Sequence, residues 1–586
     1  LGAHRPALRE RRRGRWQSTT WGEWDQHARA YASWLIEQGV APGDRVALLL
    51  GTRQAWFELD MAILMTGAVT VPLYPSMAPR QHAAQLADAG ARWLLATDPL
   101  TVARLLREPG VEAQLDGCVV VDSRGVREQP DEQGRRALDV GELREATSLR
   151  VASCDEIEKT PVNTGALDQR ADAIGPATLA SIVYTSGTDG DPKGVMLTHD
   201  NFLFEVDALE QLFSLGSHDE QLLFLPMAHV FARILEMAQL KVGYVTTFSE
   251  NTSRLLDEMA EVEPTFVGAV PRLFEQFHAQ VTRALTPQTR VERAAWSRAI
   301  EVGISAARLR RQGVEAPLSL KIQHRAAEQL VFEKIRRAFG KRLRFAFCGG
   351  APLAAGLTEW FHGVGVPLVE GYGLTETTSA SHVNPPADPT PGTVGRPLPG
   401  VACRLAPDGE ILLRGRGVCA GYWGRPALTA QLIDAEGWFH TGDLGTLEAD
   451  RLKIVGRKKE LLVTSGGHKV APQPIEAMLQ QSPLIQRAVL VGEGRARVAA
   501  LLDLRDEAAR AWERAREHPD PSLGEQLQAA IEAVNQRLAS YEKIRHFVVL
   551  SSPLSQENGE LTPTGKVRRE RVNERRAAEI NGMYEG

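Results

Sequence analysis

The chain has 586 residues, more than one hydrophobic core accommodates, so two or more domains are expected. Hydrophobic residues make up 43% and charged residues 24%, as in an ordinary globular protein, and the net charge of -5 argues against a nucleic-acid partner, which calls for a basic excess. The cysteines Cys118, Cys154, Cys348, Cys403 and Cys419 are scattered, odd in number and without a C-x-x-C pair. That spacing argues against a common zinc site and points to a reducing, cytoplasmic compartment. No run reaches the roughly 18 uninterrupted apolar residues of a membrane span. No basic-then-apolar leader follows Leu1, so any contact with a membrane is expected to be peripheral.

In chain order, Arg9, Arg11, Arg12, Arg13 and Arg15 form a local basic run. It reads as an anionic-lipid patch or as a polar hairpin that turns at Gly14. The hairpin is favoured, because Glu10 interrupts the run and Trp16 and Trp21 fall on strand positions. From Trp24 to Leu100 helix and strand alternate: a helix over Asp25–Glu37, a turn at Gly39–Gly43, a strand over Arg45–Leu50, a helix through Met65 and a strand over Ala68–Leu73. Strands separated by helices imply a parallel sheet covered on both faces. Ser123–Gly175 is polar and is expected to be a surface excursion.

Short apolar runs closed by Gly, Pro or Thr turns recur at Leu179–Thr185, Leu222–Met227, Thr265–Val270, Arg344–Phe347 and Pro367–Glu370. In open α/β sheets ligands collect at such strand ends. Phe274–Arg342 is rich in Arg, Ala and Glu with little Gly or Pro, and reads as a helical insertion. Past Gly456 the segments Ile475–Leu479, Leu484–Val491, Val498–Leu504 and Ser522–Leu538 suit a small C-terminal domain, with the boundary at about Arg457–Lys459.

The strongest single feature is Tyr184-Thr-Ser-Gly-Thr-Asp-Gly-Asp-Pro-Lys-Gly194, directly after a strand. Gly187, Gly190 and Gly194 let backbone amides approach an anion, Thr185, Ser186 and Thr188 add hydroxyls, and Lys193 adds a point charge for phosphate. It is not a Walker A loop, since Lys193 follows Pro192 and precedes Gly194. At this string the sequence resembles the adenylate-forming superfamily of acyl-CoA synthetases, luciferases and peptide-synthetase adenylation domains. The likeness runs from about Trp21 to Arg569. It implies an α/β fold: a large N-terminal domain (1–457) of layered α/β subdomains with mostly parallel sheets, carrying the insertion at about 274–342. A small mobile α+β C-terminal domain (458–586) would follow.

The resemblance extends to further motifs and implies roles for their residues. Gly349-Gly350-Ala351-Pro352 would approach adenine. In Gly371-Tyr372-Gly373-Leu374-Thr375-Glu376-Thr377, Tyr372 would offer a ring face to the purine, Thr375 a hydroxyl to phosphate and Glu376 a hard oxygen to Mg²⁺, with Thr185 beside the metal. Asp443 in Thr441-Gly442-Asp443 would accept from the ribose hydroxyls, and Arg457 would contact ribose or phosphate. Asp443 and Arg457 read alternatively as a surface ion pair. Lys566, in Leu561-Thr-Pro-Thr-Gly-Lys566, would reach the α-phosphate and the substrate carboxylate.

Two half-reactions follow from the resemblance. A carboxylate and MgATP give an acyl-adenylate and pyrophosphate; coenzyme A then takes the acyl group and AMP leaves. Lys566 serves the first step and would obstruct the second, so the small domain is implied to rotate about Lys459. The loop Thr464-Ser465-Gly466-Gly467-His468 would then line the thiol path. Leu225-Pro-Met-Ala-His-Val-Phe-Ala-Arg233 and the insertion resemble long-chain acyl-CoA synthetases, with His229 and Phe231 near the acyl chain. For His229 a satisfied core histidine, and for Phe231 simple packing, stay open. Three readings remain: a fatty acyl-CoA synthetase, which is favoured; an acyl-AMP ligase that serves a carrier protein, or a ligase for another acid; and a silent lipid- or nucleotide-binding relative. One departure is Asp189, where the family loop has Thr or Ser; an extra anion there should weaken triphosphate binding unless a cation offsets it.

Overall fold

The computed structural model describes residues 2–126, 137–185, 193–285, 289–386, 388–517, 521–562 and 565–585. Two large sheets organise the N-terminal part. In the eight-stranded sheet, Arg150–Ser153, Gly117–Val120, Trp93–Ala96, Arg45–Leu49, Val69–Pro72 and Leu179–Thr185 run parallel in that order. Lys193–Thr198 and Gly421–Tyr422 close it antiparallel. The nine-stranded sheet has at its centre the parallel strands Val245–Phe248, Glu220–Leu223, Phe266–Ala269, Phe345–Cys348 and Leu368–Tyr372.

Alternation along each strand decides which layer a side chain enters. Val46 and Leu48 join one core with Phe266 and Phe345 of the other sheet, through Trp56, Phe57, Ile234 and Leu235 on helices Gln54–Met65 and Val230–Val242. Ala47 and Leu49 point the opposite way, into a second core with Val69, Val71 and Ile182. A layer of helices therefore lies between the two sheets.

One polar network crosses that layer. Arg233 and Asp60, both fully buried, form an ion pair at 2.5 Å. Arg233 also donates to Ser181 Oγ at 2.8 Å, Ser181 donates to the Thr70 carbonyl at 2.8 Å, and Thr70 donates back to Asp60 at 2.6 Å. Both Asp60 oxygens and both terminal nitrogens of Arg233 thus find partners, while the buried Arg233 Nε has none among the described residues; such partners are the condition under which a buried pair is tolerated.

The N-terminal basic run is a hairpin of Pro6–Arg12 and Arg15–Thr20, turning through Arg13 (φ 52) and Gly14 (φ 75). Two successive positive φ values match the twist of a tight hairpin. Arg9 pairs with Glu220 at 2.8 Å and Arg11 with Glu261 at 3.3 Å, so much of the run's charge is met by the protein itself. The expected surface excursion is corrected in part: Arg150–Ser153 is the edge strand of the eight-stranded sheet, and Val140, Leu143, Cys154, Ile157 and Leu167 are buried. Its elements are only three to ten residues long, too short for hydrophobic periodicity to show.

Between Phe266–Ala269 and Phe345–Cys348 the chain is helical: Pro271–Leu285, Arg290–Arg311, Leu318–Ala327, a π turn at Glu328–Phe332, and Glu333–Ala338. Helix Arg290–Arg311 packs closely at Gly303, where a Cβ would lie 2.3 Å from the Gly363 carbonyl oxygen. A four-stranded antiparallel sheet ends with Phe439–Glu448 and Arg451–Arg457. Beyond it, Ile485–Val491, Val498–Leu504 and Ile544–Val549 form a three-stranded sheet. Ala488 and Leu490 face one small core with helices Pro472–Leu479 and Pro521–Asn535, and Val489 and Val491 face another with Val572 and Met583. The molecule is thus a large α/β body with a smaller α+β unit. Among the described residues no helix is long and apolar enough to cross a membrane.

A candidate active site between the sheets and the C-terminal unit

Thr185 ends its strand directly opposite Lys193, and its hydroxyl donates to the Lys193 carbonyl at 3.5 Å. Ser186, Gly187, Thr188, Asp189 and Gly190, expected between them, lie outside the described residues. The Lys193 ammonium sits 5.8 Å from the centre of the Tyr422 ring, and the Tyr422 hydroxyl donates to Glu376 Oε1 at 2.7 Å. Strand Gly421–Tyr422 brings this tyrosine in by pairing with Val195 and Met196.

Glu376 stands in the middle of the 3-10 turn Thr375–Thr377, directly after the strand that carries Gly371 and Tyr372. The turn is held from outside: Cys419 N–H donates to the Glu376 carbonyl at 2.8 Å and Thr378 donates to the Gly417 carbonyl at 2.7 Å. Thr378 (φ 61) and Ser379 (φ 128) are consecutive non-glycine residues at positive φ, strain that marks functional loops. Gly373 has a steric reason to be glycine, since a Cβ there would fall 1.4 Å from the Ser379 carbonyl oxygen.

A second corner forms around Asp443. Its Oδ2 accepts from the Tyr372 hydroxyl at 2.7 Å and its Oδ1 pairs with Arg457 Nε at 2.9 Å, across directly opposed strand positions. The side chain of Asp443 is 5% exposed and that of Arg457 is 39% exposed, so this is an ion pair with its acid buried. Burial pushes the Asp443 carboxyl above its usual range, opposed by Arg457 and the Tyr372 hydroxyl. Nearby, Gly371 pairs with Val383, and Gly350 (φ 83) and Ala351 lie exposed. A Cβ on Gly350 would meet only Val270, at 3.9 Å, which leaves backbone open to a ligand. Behind this loop Glu370 is buried, and burial lifts its carboxyl to about 8 against a hydrogen bond from the Leu353 backbone.

Lys566 joins these corners from the C-terminal unit. Its side chain keeps access to solvent, yet protein encloses it on most sides. Burial holds its amine below the usual value, with Arg457 adding to the effect and Asp443, Glu460 and Glu376 opposing it. His229 caps helix Val230–Val242, its Nδ1 accepting from Phe231 N–H at 3.1 Å. Burial and then the charge of Lys566 bring His229 down to about 4, so it is neutral at physiological pH. With Nδ1 accepting, its proton resides on Nε2. Phe231 is packed near Gly268 on the central strand Phe266–Ala269, where a Cβ would come within 3.1 Å of its ring.

Lys193, Tyr422 and Glu376 thus form one group, Tyr372, Asp443 and Arg457 another, and Lys566 lies within the fields of Glu376, Asp443 and Arg457 while its own charge reaches His229. Ser465, Gly466 and Gly467 stand apart and exposed. Ser465 N–H bonds the Arg495 carbonyl at 2.8 Å, and His468 stacks on Tyr541 at 4.7 Å. Sequence reasoning missed Tyr422, Glu370 and Glu460. The string Ala420-Gly421-Tyr422-Trp423 carried a signal, a glycine before paired aromatics, but nothing in it names Glu376 as the partner. Cationic groups facing a buried acid, an open glycine backbone and a carboxylate oxygen with no partner among the described residues are what an anionic nucleotide and a second acid require.

Comparison with known proteins agrees with that chemistry. Residues 2–423 match the family model described as AMP-binding enzyme, and residues 459–586 match the AMP-binding enzyme C-terminal domain. The chain belongs to the AMP-binding enzymes. It is 36% identical over 97% of its length to the long-chain-fatty-acid–CoA ligase FadD15 of Mycobacterium bovis, covering 93% of that protein. It is 26% identical to the long-chain-fatty-acid–CoA ligase ACSBG2 of Rattus norvegicus, over 100% of this chain and 91% of that one. Among solved structures, the adenylation domain of a carboxylate reductase from Mycobacterium chelonae superposes with a TM-score of 0.76 at 23% identity, over 99% of this chain and 89% of that one. That likeness speaks for the fold.

Proposed function

We propose that this protein is an AMP-forming ligase that activates a medium- or long-chain fatty acid with MgATP and passes the acyl group to coenzyme A. The relatives named long-chain-fatty-acid–CoA ligases, matched over nearly the whole of both chains, support the acid class and the acceptor. The observation that carries adenylation is the position of Lys566, drawn from the C-terminal unit into the field of Glu376, Asp443 and Arg457.

In the first step a carboxylate oxygen attacks the α-phosphorus of ATP, the bond to the bridging oxygen breaks and pyrophosphate leaves. Negative charge accumulates at that phosphorus, and the preorganised Lys566 ammonium stabilises it by about 3 kcal/mol, the scale of one oxyanion donor. Lys193 and Thr185, with Ser186, Gly187, Thr188 and Gly190, hold the phosphates. Thr375 adds a hydroxyl, Asp443 and Arg457 hold the ribose, and Gly350, Ala351, Gly371, Tyr372 and Gly373 form the base site. Neutral His229 offers its Nε2–H to the incoming carboxylate.

Magnesium fits this site. One Glu376 oxygen is fixed by Tyr422; among the described residues the other accepts no hydrogen bond, and no cluster of three or more ligating side chains exists. A single carboxylate completed by phosphate oxygens and water is the arrangement Mg²⁺ favours. When bound, the ion neutralises charge on the phosphates. In the second step the coenzyme A sulfur attacks the acyl carbon, the bond to AMP breaks and the thiol proton passes to solvent. We assign residues 1–457 to an adenylation domain with its insertion at about 274–342, and 458–586 to a small domain that turns about Lys459 between steps. Ser465, Gly466 and Gly467 then line the thiol path. The protein is assigned to the cytoplasm, with peripheral membrane contact.

The test is AMP release with coenzyme A across acids from acetate to long fatty acids. Long-chain acids give the highest kcat/KM on this account. A preference for amino or aromatic acids overturns the acid class, and acyl-adenylate that coenzyme A cannot turn over overturns the acceptor.

A further inference from the structure

Between Arg290 and Arg342 the chain carries thirteen Lys and Arg against five Asp and Glu, a net +8 inside a protein whose total is -5. The five most exposed large apolar side chains among the described residues lie in the same stretch: Val291 at 81%, Leu318 at 74%, Leu330 at 67%, Ile322 at 63% and Val314 at 51%. Leu318, Ile322, Ala326 and Leu330 recur every fourth residue, all exposed, along helix Leu318–Ala327 and the π turn that continues it. That spacing places them in one stripe.

Helix Arg290–Arg311 runs back alongside, and Arg298 donates to Gln323 at 3.2 Å. This register sets Val291 level with Leu330, while Val314 lies in the turn that joins the helices. Lys321 and Arg325 flank the stripe. Arg290, Arg293, Arg310, Arg325 and Lys334 make no ion pair among the described residues. The N-terminal arginine run differs, since Arg9 and Arg11 pair with acids of the protein.

We propose that this helical pair docks the protein on an anionic lipid bilayer, the stripe entering the boundary between headgroups and acyl chains and the unpaired cations meeting lipid phosphates. Charge selects this occupant. A second copy would set the same cationic surface, with its unpaired Arg290, Arg293, Arg310, Arg325 and Lys334, against itself across a two-fold axis, like charge on like. A bilayer supplies the opposite sign over a wide face, and the negative remainder of the chain, repelled by it, orients the cationic helices inward. The inference deepens the peripheral contact proposed above and rests on that reading for its purpose alone, because long acyl chains partition into bilayers.

The test uses the full chain and vesicles of phosphatidylcholine with and without phosphatidylglycerol. The protein sediments at least about tenfold more tightly with the anionic vesicles, and salt weakens the binding. Leu318→Asp/Ile322→Asp/Leu330→Asp and, separately, Arg290→Glu/Arg293→Glu/Arg325→Glu each reduce it about tenfold or more, while turnover of a water-soluble acid is unchanged. Should the apolar triple variant misfold, the charge-reversal variant carries the test. Equal binding to neutral vesicles, or binding unaltered in a folded variant, overturns the proposal. A dimer in light scattering that these variants dissolve assigns the surface to a second copy instead. Vesicle binding that persists without any fatty-acid activation separates failure of the catalytic reading from failure of this one.

Discussion

The Tyr422 hydroxyl donates to Glu376 Oε1 at 2.7 Å while its ring lies 5.8 Å from the Lys193 ammonium. One aromatic residue therefore touches both the carboxylate proposed to meet magnesium and the cation proposed to meet phosphate. Fixing one Glu376 oxygen directs the other, so the carboxylate need not be ordered when MgATP arrives.

Tyr422→Phe keeps the ring beneath Lys193 and removes only the hydrogen bond. A bond to a charged acceptor is worth about 1.5–3 kcal/mol, so the Mg²⁺ concentration for half-maximal pyrophosphate exchange rises about tenfold, with kcat changed much less. Titration of exchange against Mg²⁺ at saturating acid checks it. An unchanged magnesium dependence contradicts the positioning role.

Gly373→Ala forces a Cβ against the Ser379 carbonyl, backbone that cannot swing aside. Nucleotide binding is lost and the thermal transition falls, as calorimetry with and without ATP will show. A variant with normal ATP affinity would mean that the turn relaxes freely.

The Arg233–Asp60 pair lies wholly inside the helical layer. Arg233→Met strands a buried carboxylate and costs about 3–5 kcal/mol. Adding Asp60→Asn to Arg233→Met recovers more than half of it, read by denaturant unfolding. A loss in the double variant as large as in the single one would assign the cost to packing.

Glu370 ties stability to pH. Burial pushes its carboxyl up to about 8 when folded, against 4.5 for an ordinary glutamate, so between those values the folded state holds the proton that the unfolded state has released. The stabilisation is full below about 4.5 and is lost as pH rises through about 8. Relative to Glu370→Gln, the wild type therefore loses stability across that window, measurable as the difference in unfolding midpoints. Parallel pH profiles would refute it.

Much of the fold was legible because its strands are buried on both faces and end in Gly, Pro or Thr, as at Leu179–Thr185 and Leu368–Tyr372. Arg150–Ser153 was not, because four residues cannot display a period. In the candidate site, Asp443, Arg457, Glu376 and Lys566 were singled out from their strings, but what each touches was hidden. The Tyr372–Asp443 and Tyr422–Glu376 bonds join residues 71 and 46 positions apart, and only the meeting of separate strands creates them. The segment Phe274–Arg342 read only as a helical insertion; the apolar stripe Leu318–Leu330 within it was not legible, because periodicity reveals a face without saying whether anything covers it.

Lys566→Ala tests the central claim most directly, with both half-reactions measured on one preparation. Acid-dependent exchange of pyrophosphate into ATP is abolished, while thioester formation from supplied acyl-adenylate and coenzyme A retains most of its rate. Equal loss of both half-reactions, or survival of the exchange, would contradict the account.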